Sequence, residues 1–498
     1  QVRFKPECIS ILNCRKFPAL ENFCLIQKTS IMGKNRLKGK HLRKVDFPSD
    51  IAKSVAINIM TKHYKHVSKE EKLEIINNVL LDPETYLEHE YLMPLARALV
   101  GKPKMKTDYE VHMLKNTGDF NIYGQRQISQ NAILQMEAAM RLPISVKGAL
   151  MPDAHHGYGL PIGGVLAAKN AVIPFGVGLD IGCRMALSIY ALPENYIQKK
   201  EYDLQKALRR YTHFGTEGTL DFEVDHEVLE RPEFQSTELL RRLHGKAWYQ
   251  LGSSGTGNHF VEFGNVTIQS DNTLGIAPGN YVGLLSHSGS RGMGAAIAAM
   301  YTKIAKEKCK LPREMQSMAW LNMNEEAGQE YWLSMNLAGD YAKACHDVIH
   351  KNMERVMGLE AICKVENHHN FAWKEMHDGQ ELIVHRKGAT PASKGELGII
   401  PGSMSSNGYI VSGMGAEGSL NSASHGAGRK MSRKEARESI SKSALNNILS
   451  ENKIKLIGGS VEEASLAYKD IETVMSNQQQ LVKIEGSFTP KIVRMNKS

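Results

Sequence analysis

The chain has no apolar run of about 18 residues, the length that a membrane-spanning helix needs, because Lys, His or Gly interrupts its longest apolar stretches. It has no internal repeat and no low-complexity linker, which excludes a repeat array. It also lacks the Gly-x-x-x-x-Gly-Lys-Ser/Thr motif of a P-loop, so any nucleotide must be bound in another way. We therefore expect a globular protein with no membrane partner.

Paired cysteine spacing is also missing, although the chain contains seven cysteines. Three of them crowd residues 1–31 and the others are scattered, which favours a reduced, cytoplasmic protein. Residues 1–31 show no amphipathic period and no small-residue cleavage site, so a secretory signal is not expected. We interpret this segment as an appended leader of doubtful status, with an alternative translation start at Met32.

Composition and charge set further bounds on the 498 residues. Hydrophobic residues make up 42% and charged residues 23%, which is ordinary for a folded protein and argues against disorder of the whole chain. The formal net charge of +9 and the pI near 8.9 favour a polyanionic partner such as nucleic acid, although dispersed surface lysines would give the same total.

The pattern along the chain changes three times. Residues 32–105 are predicted to be helical, with Ser68 and Glu71 spaced as a capping box. A basic run at residues 34–44 precedes this capping box. The run fits a solvated arm as well as it fits contact with a phosphate backbone. Residues 120–290 read as short strands punctuated by glycine, and residues 292–358 as a helical insertion whose aromatic stripe favours core packing. We expect residues 32–498 to form one catalytic domain.

The first motif that could carry chemistry runs from Gly178 to Arg184 and sets Asp180 three residues before Cys183. A carboxylate and a thiolate can both bind a divalent metal ion, and we expect Arg184 to lower the pKa of the thiol. Taken alone, the same spacing fits a buried structural cysteine.

Further motifs each set a histidine among small or polar residues, at His259, His287 and the pair His368-His369, and we predict that this pair opens a helix. A single such histidine is usually a core or capping residue. Together with Asp180 and Cys183, however, the histidines form a mixed ligand set that suits Mn, Fe, Co or Zn better than Mg or Ca.

A last histidine, His425, stands in the run Ser424-His425-Gly426-Ala427-Gly428-Arg429. The glycines allow a phosphate to approach the backbone amides, Arg429 adds a bidentate cation, and the imidazole can attack phosphorus. The alternative is a glycine-rich turn with a satisfied histidine.

These motifs in this order resemble the RtcB family of RNA ligases, over residues 32–497. The resemblance rests on residues 151–159 with Met151-Pro152-Asp153-Ala154-His155, on 178–183, on Gly257-Asn258-His259-Phe260, and on residues 286–291, 369–370, 385–390, 401–404 and 425–429. It implies an α+β fold with a mixed β-sheet core, peripheral helices and the helical insertion.

The resemblance also implies roles for residues of this chain. His425 is similar to the family's nucleophile, and Asp180, Cys183, His259, His287 and His369 are similar to its manganese ligands, with Cys183 bridging a pair of ions in each subunit. Further residues are similar to its GTP pocket: Asn258, His259, Phe260, Val261, Glu262, His369, Asn370, Pro401, Gly402, Ser403, Met404, Gly408, His425, Gly426, Ala427, Gly428, Tyr468 and Lys497. Candidate contacts with RNA phosphates or with the triphosphate are Arg291, Arg386, Lys387 and Arg429.

The function implied is a 3′-phosphate/5′-hydroxy nucleic acid ligase. It would join RNA 3′-phosphate or 2′,3′-cyclic phosphate ends to 5′-hydroxyl ends through a histidine–GMP intermediate, in tRNA splicing or RNA repair, with an accessory activating protein as a further expected partner. The alternative is a dinuclear metallophosphoesterase that acts on RNA ends without ligation.

Overall fold

The computed structural model describes residues 42, 45, 47, 50–100, 111–215 and 224–496. The contact pattern divides the chain into two compact units, Gln1–Asp108 and Tyr109–Ser498. The expected leader at residues 1–31, the basic residues of the run at 34–44 and Lys497 lie outside the described residues. The domain boundaries expected from the sequence stay predictions.

The first unit contains the helices α1 (Asp50–Lys62), α2 (Lys69–Leu81) and α3 (Met93–Val100). The predicted capping box is confirmed: the Glu71 amide donates to Ser68 Oγ at 3.2 Å, and the Ser68 amide donates to Glu71 Oε2 at 3.0 Å. These bonds satisfy two amides that a helix N-terminus leaves unpaired. Ile76 of α2 is fully buried in the core of this unit.

The second unit combines helices and sheets, so the α+β class is confirmed. Its helices are α4 (Gln130–Met140), α5 (Pro174–Val177), α6 (Tyr196–Lys199), α7 (Glu201–Tyr211), α8 (Glu238–Gln250), α9 (Arg291–Lys308), α10 (Glu326–Met357), α11 (Arg433–Ser439), α12 (Lys442–Glu451) and α13 (Ile471–Ser476). Along the described residues, no helix combines the length and the apolar character needed to cross a membrane.

The strands of the second unit are β1 (Phe120–Ile122), β2 (Ser145–His155), β3 (Ile162–Ala168), β4 (Ala171–Val172), β5 (Arg184–Tyr190), β6 (His213–Phe214), β7 (Ser253–Ser254), β8 (Phe260–Ile268), β9 (Gly279–Ser288), β10 (Leu321–Asn322), β11 (Cys363–His368), β12 (Asn370–His377), β13 (Gln380–Lys387), β14 (Ala389–Pro391), β15 (Leu397–Ile400), β16 (Gly408–Gly413), β17 (Ser422–Ser424), β18 (Lys455–Ile457) and β19 (Val482–Met495).

Most of these strands belong to two mixed sheets. An eight-stranded sheet has the order β11-β5-β9-β8-β19-β16-β15, with β18 paired to β19, and a five-stranded sheet has the order β1-β2-β3-β13-β12. The β1–β2 and β18–β19 pairs are parallel and the others on these paths are antiparallel. The chain passes from one sheet to the other between β11 and β12, and His369 is the residue at this passage.

The segment predicted as helical at residues 292–358 contains α9 and α10. Tyr331, Met335 and Tyr341 of its aromatic stripe are fully buried, which confirms core packing over base stacking. That the segment is an insertion stays a prediction. The segment read as strands at residues 120–290 also contains α4, α7 and α8, because glycine punctuation marks turns before helices as well as before strands.

The helix predicted to begin at His368 is wrong. This histidine ends β11 and Asn370 begins β12, and in β11 the buried Val365 and Asn367 alternate with the exposed Lys364 and Glu366. A two-residue alternation is the burial pattern of a strand, and the tertiary position of the chain between two sheets overrides its helical spacing.

Candidate functional site

Strand register brings the predicted metal ligands to one end of the eight-stranded sheet. His287 of β9 lies between Met185 of β5 and Phe260 of β8 in the antiparallel ladder. Because Cys183 directly precedes β5 and His259 directly precedes β8, their side chains reach the same end. His369 is fixed there by its amide, which donates to the Cys183 carbonyl at 3.0 Å.

The five predicted ligands contact one another, and we call them the ligand cluster. Cys183 Sγ lies 3.3 Å from His259 Nε2 and 3.1 Å from His287 Nε2. His287 Nε2 lies 3.2 Å from His369 Nε2, and His259 Nε2 lies 2.9 Å from Asp180 Oδ2. The side chains form two overlapping groups, Asp180-Cys183-His259 and Cys183-His287-His369, so Cys183 is their shared member.

The hydrogen bonds of His287 show why this cluster fits a cation. Its Nδ1 lies 3.0 Å from the carbonyl oxygen of Asn258 and must donate a proton to it. Burial lowers the pKa of His287 to about 3, so the ring is neutral and its Nε2 carries a lone pair. That lone pair faces the sulfur of Cys183 and a nitrogen of His369, an arrangement that a bound metal ion stabilises.

The thiol of Cys183 differs from the sequence-based expectation. Burial and the nearby Asp180 carboxylate raise its pKa well above the usual value, whereas Arg184 was expected to lower it. The expectation is wrong because burial and the Asp180 carboxylate outweigh the lowering effects of the Arg184 backbone amide and the Arg291 charge. A divalent cation reverses this balance because it binds the thiolate directly.

Two glycines of the motifs allow the ligands to approach. A Cβ atom at Gly289 would lie 2.0 Å from Asp180 Oδ1, and one at Gly255 would lie 1.8 Å from His259 Nδ1. Any side chain at these positions would therefore displace a member of the ligand cluster.

A cavity of about 310 Å³ adjoins the ligand cluster, and its volume suits a small ligand. Alternate residues of the eight-stranded sheet form its floor, with Phe260 and Glu262 of β8 facing it. Most of the predicted GTP-pocket residues line it: Asn258, Phe260, Glu262, His369, Pro401, Gly402, Ser403, Met404, Gly408, His425, Gly426, Ala427, Gly428 and Tyr468.

Three predicted pocket residues do not line this cavity, and a fourth, Lys497, lies outside the described residues. Val261 is on the opposite face of β8 and packs into a hydrophobic core, as strand alternation requires. The side chain of Asn370 instead accepts a hydrogen bond from the Gly388 amide at 2.8 Å. His259 belongs to the ligand cluster.

The imidazole of His425 lines the cavity and is held from behind by Asp153 of β2. Asp153 is fully buried, and its Oδ2 accepts from His425 Nδ1 at 2.6 Å and from the His425 amide at 3.2 Å. Since Nδ1 carries the proton, the free lone pair is on Nε2. The ring centroid of His425 lies 5.0 Å from that of His369, which places it beside the ligand cluster.

Asp153 is a site residue for which the sequence motifs indicate no role. The available signal was an acidic side chain inside the otherwise apolar strand segment Met151-Pro152-Asp153-Ala154, since a buried charge needs a partner. The partner is more than 270 positions away in the chain, so only the fold identifies it.

Glu262 has an apolar environment. Its neighbours across the sheet are Leu285 of β9 and Val493 of β19, and both line the cavity. Burial raises the pKa of Glu262 well above its usual value. Further lining residues that the sequence did not indicate are Arg433, Glu463 and Phe488.

The buried position of Arg386 contradicts its predicted contact with RNA. Its guanidinium is fully buried and donates to both carboxylate oxygens of Glu375, at 2.5 and 3.0 Å, and to Ser422 Oγ at 2.7 Å. Ser422 begins the strand that leads to His425. Arg386 is therefore an internal support for this strand and is not available to a phosphate.

Lys387 is largely buried, and its predicted contact with RNA stays a prediction. Its ammonium group donates to the carbonyl oxygens of Tyr158 and Phe175. Burial lowers the pKa of Lys387 to about 8.

Arg291 and Arg429 are also engaged by neighbouring groups. Arg291 donates to Ser253 Oγ at 3.1 Å and to the Gly215 carbonyl at 2.7 Å. Arg429 lines the cavity and donates to Glu463 Oε2 and to the Tyr468 hydroxyl, each at 3.1 Å. Their contact with RNA stays a prediction.

Comparisons with known proteins show which family this chain resembles. A family model described as tRNA-splicing ligase RtcB matches residues 135–495, which include the ligand cluster and His425. The RNA-splicing ligase RtcB of Escherichia coli K12 is 31% identical over 395 residues, which cover 72% of this chain and 92% of that protein. The tRNA-splicing ligase RtcB of Nanoarchaeum equitans is 30% identical over 445 residues, covering 74% of this chain and 92% of that protein. That of Thermococcus kodakarensis is 31% identical over 425 residues, covering 70% and 87%.

Proposed function

The chain belongs to the RtcB family of tRNA-splicing ligases, and we propose that it is a GTP- and manganese-dependent RNA ligase. Its substrates are RNA 3′-phosphate or 2′,3′-cyclic phosphate ends and 5′-hydroxyl ends, in tRNA splicing or RNA repair. The observation that carries the proposal is the His425 imidazole, which Asp153 orients toward a cavity whose wall includes His287 and His369 of the ligand cluster.

His425 is the nucleophile in this proposal. Its Nε2 lone pair attacks the α-phosphate of GTP, the new P–N bond forms a histidine–GMP phosphoramidate, and pyrophosphate leaves. Asp153 keeps the proton on Nδ1 and stabilises the positive charge that the ring acquires during the attack. Asp153 is therefore a positioning residue for His425.

The later steps transfer the nucleotide and join the RNA. An oxygen of the RNA 3′-phosphate attacks the phosphorus of the phosphoramidate, which breaks the P–N bond and returns the imidazole. The 5′-hydroxyl then attacks the activated 3′-phosphate, a phosphodiester forms, and GMP leaves. A cyclic phosphate end is first opened by water.

The residues that would hold manganese are Asp180, Cys183, His259, His287 and His369. When bound there, divalent ions would neutralise phosphate charge beside the nucleophile. Their mixed O, S and N donors match the preference of this class of ion. Glu262 supports the choice of guanine, because a carboxylate accepts from the N1 and N2 hydrogens of guanine and adenine lacks that pair of donors.

Labelled GTP tests the proposal directly. Incubation with manganese should give a protein adduct that is acid-labile and alkali-stable, and His425→Ala should abolish it. His66→Ala, which changes an exposed histidine of the first unit, is the matched control and should label normally. Absence of an adduct from the unaltered protein, together with hydrolysis of RNA phosphate ends, would instead establish the metallophosphoesterase. A cytoplasmic site of action and an accessory activating protein belong to the same proposal.

A further inference from the structure

Tyr158 has an exposed aromatic side chain on a segment that is held firmly in place. The residue is 80% exposed, whereas Gly157 and Gly159 on either side of it are half-buried and Leu160 is fully buried. Isolated exposed apolar groups are common on proteins, so exposure alone carries no argument. The argument comes from what fixes this segment and from what lies beside it.

Two side chains clamp the backbone on either side of the ring. Gln135 donates to the Gly157 carbonyl at 2.8 Å and accepts from the Gly157 amide at 3.1 Å. The buried ammonium group of Lys387 donates to the carbonyl of Tyr158 itself. The backbone is thus fixed by a bidentate amide and a buried cation, while the phenol ring extends into solvent.

The same lysine links Tyr158 to the ligand cluster. Lys387 Nζ also donates to the Phe175 carbonyl at 3.3 Å and lies 5.0 Å from the centre of the Phe175 ring. Its Cε is 3.8 Å from where a Cβ at Gly178 would be. Gly178 is followed by Leu179, which is 50% exposed, and then by the cluster member Asp180. The segments that carry Tyr158 and Leu179 therefore both approach one buried lysine, and we call these two exposed residues the apolar rim.

Tyr158 is close in the chain to a residue of the cavity wall. His155, which lines the cavity, precedes Tyr158 by three residues, a length of chain that spans at most about 10 Å. Unpaired RNA bases stack on exposed aromatic rings because every base offers a π-face.

We propose that Tyr158, supported by Leu179, is the stacking platform for the base of the nucleotide that bears the RNA 3′-phosphate. The proposal rests on the ligase function above and deepens it by naming how the RNA end is held. It also gives Lys387 a positioning role, because this lysine holds the backbone carbonyl of Tyr158.

Binding of single-stranded RNA measures the platform without requiring catalysis. The probe is a labelled oligonucleotide with a 3′-phosphate, used with the full chain and manganese. Tyr158→Ala should weaken binding on the order of tenfold, the effect of losing one stacked base. Tyr158→Phe keeps the ring and should bind as the unaltered protein does. Tyr202→Ala is the matched control, since Tyr202 of α7 is 77% exposed and should tolerate the change.

A second probe identifies the base involved. An oligonucleotide without a base at its 3′-terminal nucleotide should bind the unaltered protein about as weakly as the complete probe binds Tyr158→Ala. Combining the abasic probe with Tyr158→Ala should add no further loss, because both changes remove the same contact. Additive losses, or full affinity of Tyr158→Ala for the complete probe, would overturn the proposal.

The labelled-GTP assay separates this inference from the proposed function. Adduct formation involves no RNA, so it reports whether the ligase chemistry exists in the first place. If the unaltered protein forms the adduct while Tyr158→Ala binds RNA normally, the platform is refuted and the ligase stands. If Tyr158→Ala loses the adduct while Tyr158→Phe retains it, Tyr158 serves GTP and the platform is also refuted.

Discussion

The cavity has two ends that share one sheet but differ in chemistry. At the metal end, donor atoms of the ligand cluster lie about as close together as hydrogen-bonded groups do, with Cys183 Sγ at 3.1 Å from His287 Nε2. At the nucleotide end, Glu262 stands among Leu285, Val493 and Phe488. Side chains at the metal end are mutually satisfied only around a cation, whereas Glu262 becomes a good acceptor only when a ligand supplies donors. The metal end is therefore arranged by contacts among its own residues. Glu262 at the nucleotide end gains hydrogen-bond partners only from a bound ligand.

Removing the shared ligand should have the largest effect at the metal end. Cys183→Ala takes one donor from both groups of the cluster, so we expect loss of bound manganese and a fall in adduct formation on the order of 100-fold or more. Metal content after gel filtration and labelled-GTP incorporation measure the two effects. Cys345→Ala is the control, because Cys345 is equally buried in α10 and lies outside the cluster. Normal manganese content in the Cys183→Ala protein would contradict the role of the metal end.

A variant of Asp153 tests whether the nucleophile His425 can be impaired while the metal end is left intact. Asp153→Asn keeps the size of the side chain but replaces an acceptor with an amide that can donate to Nδ1, which favours the tautomer with its proton on Nε2. We expect adduct formation to fall roughly 10³-fold, by analogy with the carboxylate that orients a catalytic histidine in a triad. Manganese content should stay unchanged because Asp153 is not in the cluster. Equal labelling by both proteins would show that Asp153 does not orient the nucleophile.

The two ends were also predictable from the sequence to different degrees. Each metal ligand stands in a short motif with glycines or hydroxyls, and the five could be named before any fold was known. Asp153 and Phe488 could not. The apolar segment around Asp153 indicates that this carboxylate needs a partner but not which one, and nothing local distinguishes a strand phenylalanine that faces a cavity. Arg386 misled for a related reason: a charge count does not reveal that Glu375 already pairs with its buried guanidinium.

The fold shows the same division. The capping box at Ser68 was predictable because its two residues interact across one helical turn. The strands around His369 were not, because the chain is extended there by pairing with β5 on one side and β13 on the other. Such pairings join residues far apart in the chain, and local spacing carries no record of them.

Gly289 offers a smaller perturbation of the metal end. Gly289→Ala would place a methyl group 2.0 Å from Asp180 Oδ1, so the carboxylate must move away from His259. We expect manganese affinity to fall about 10- to 100-fold while the rest of the cluster remains. Titration of the metal-free protein measures this. Gly245→Ala is the control, because no atom lies within 4 Å of a Cβ at Gly245, and an equal loss there would refute the steric explanation.

The nucleotide end should show the smallest effect, in substrate choice. Glu262→Gln removes a carboxylate that can accept from two guanine hydrogens, and we expect the preference for GTP over ATP in adduct formation to fall about tenfold. Competition between the two labelled nucleotides measures the ratio. An unchanged ratio would mean that another group selects the base.

The stability of the Glu262→Gln variant is a further test of how the nucleotide end differs from the metal end. Burial raises the pKa of Glu262 in the folded protein above its unfolded value, so between these two pKa values the folded state binds more protons than the unfolded state. The free energy of unfolding therefore decreases as pH rises through that window, starting near the unfolded pKa of about 4.3. Glu262→Gln has no such charge to bury and should gain stability relative to the unaltered protein as pH rises toward neutrality. Denaturant titrations at pH 4 and pH 7 without GTP test this, and a difference independent of pH would show that Glu262 is already ionised and paired before the nucleotide binds.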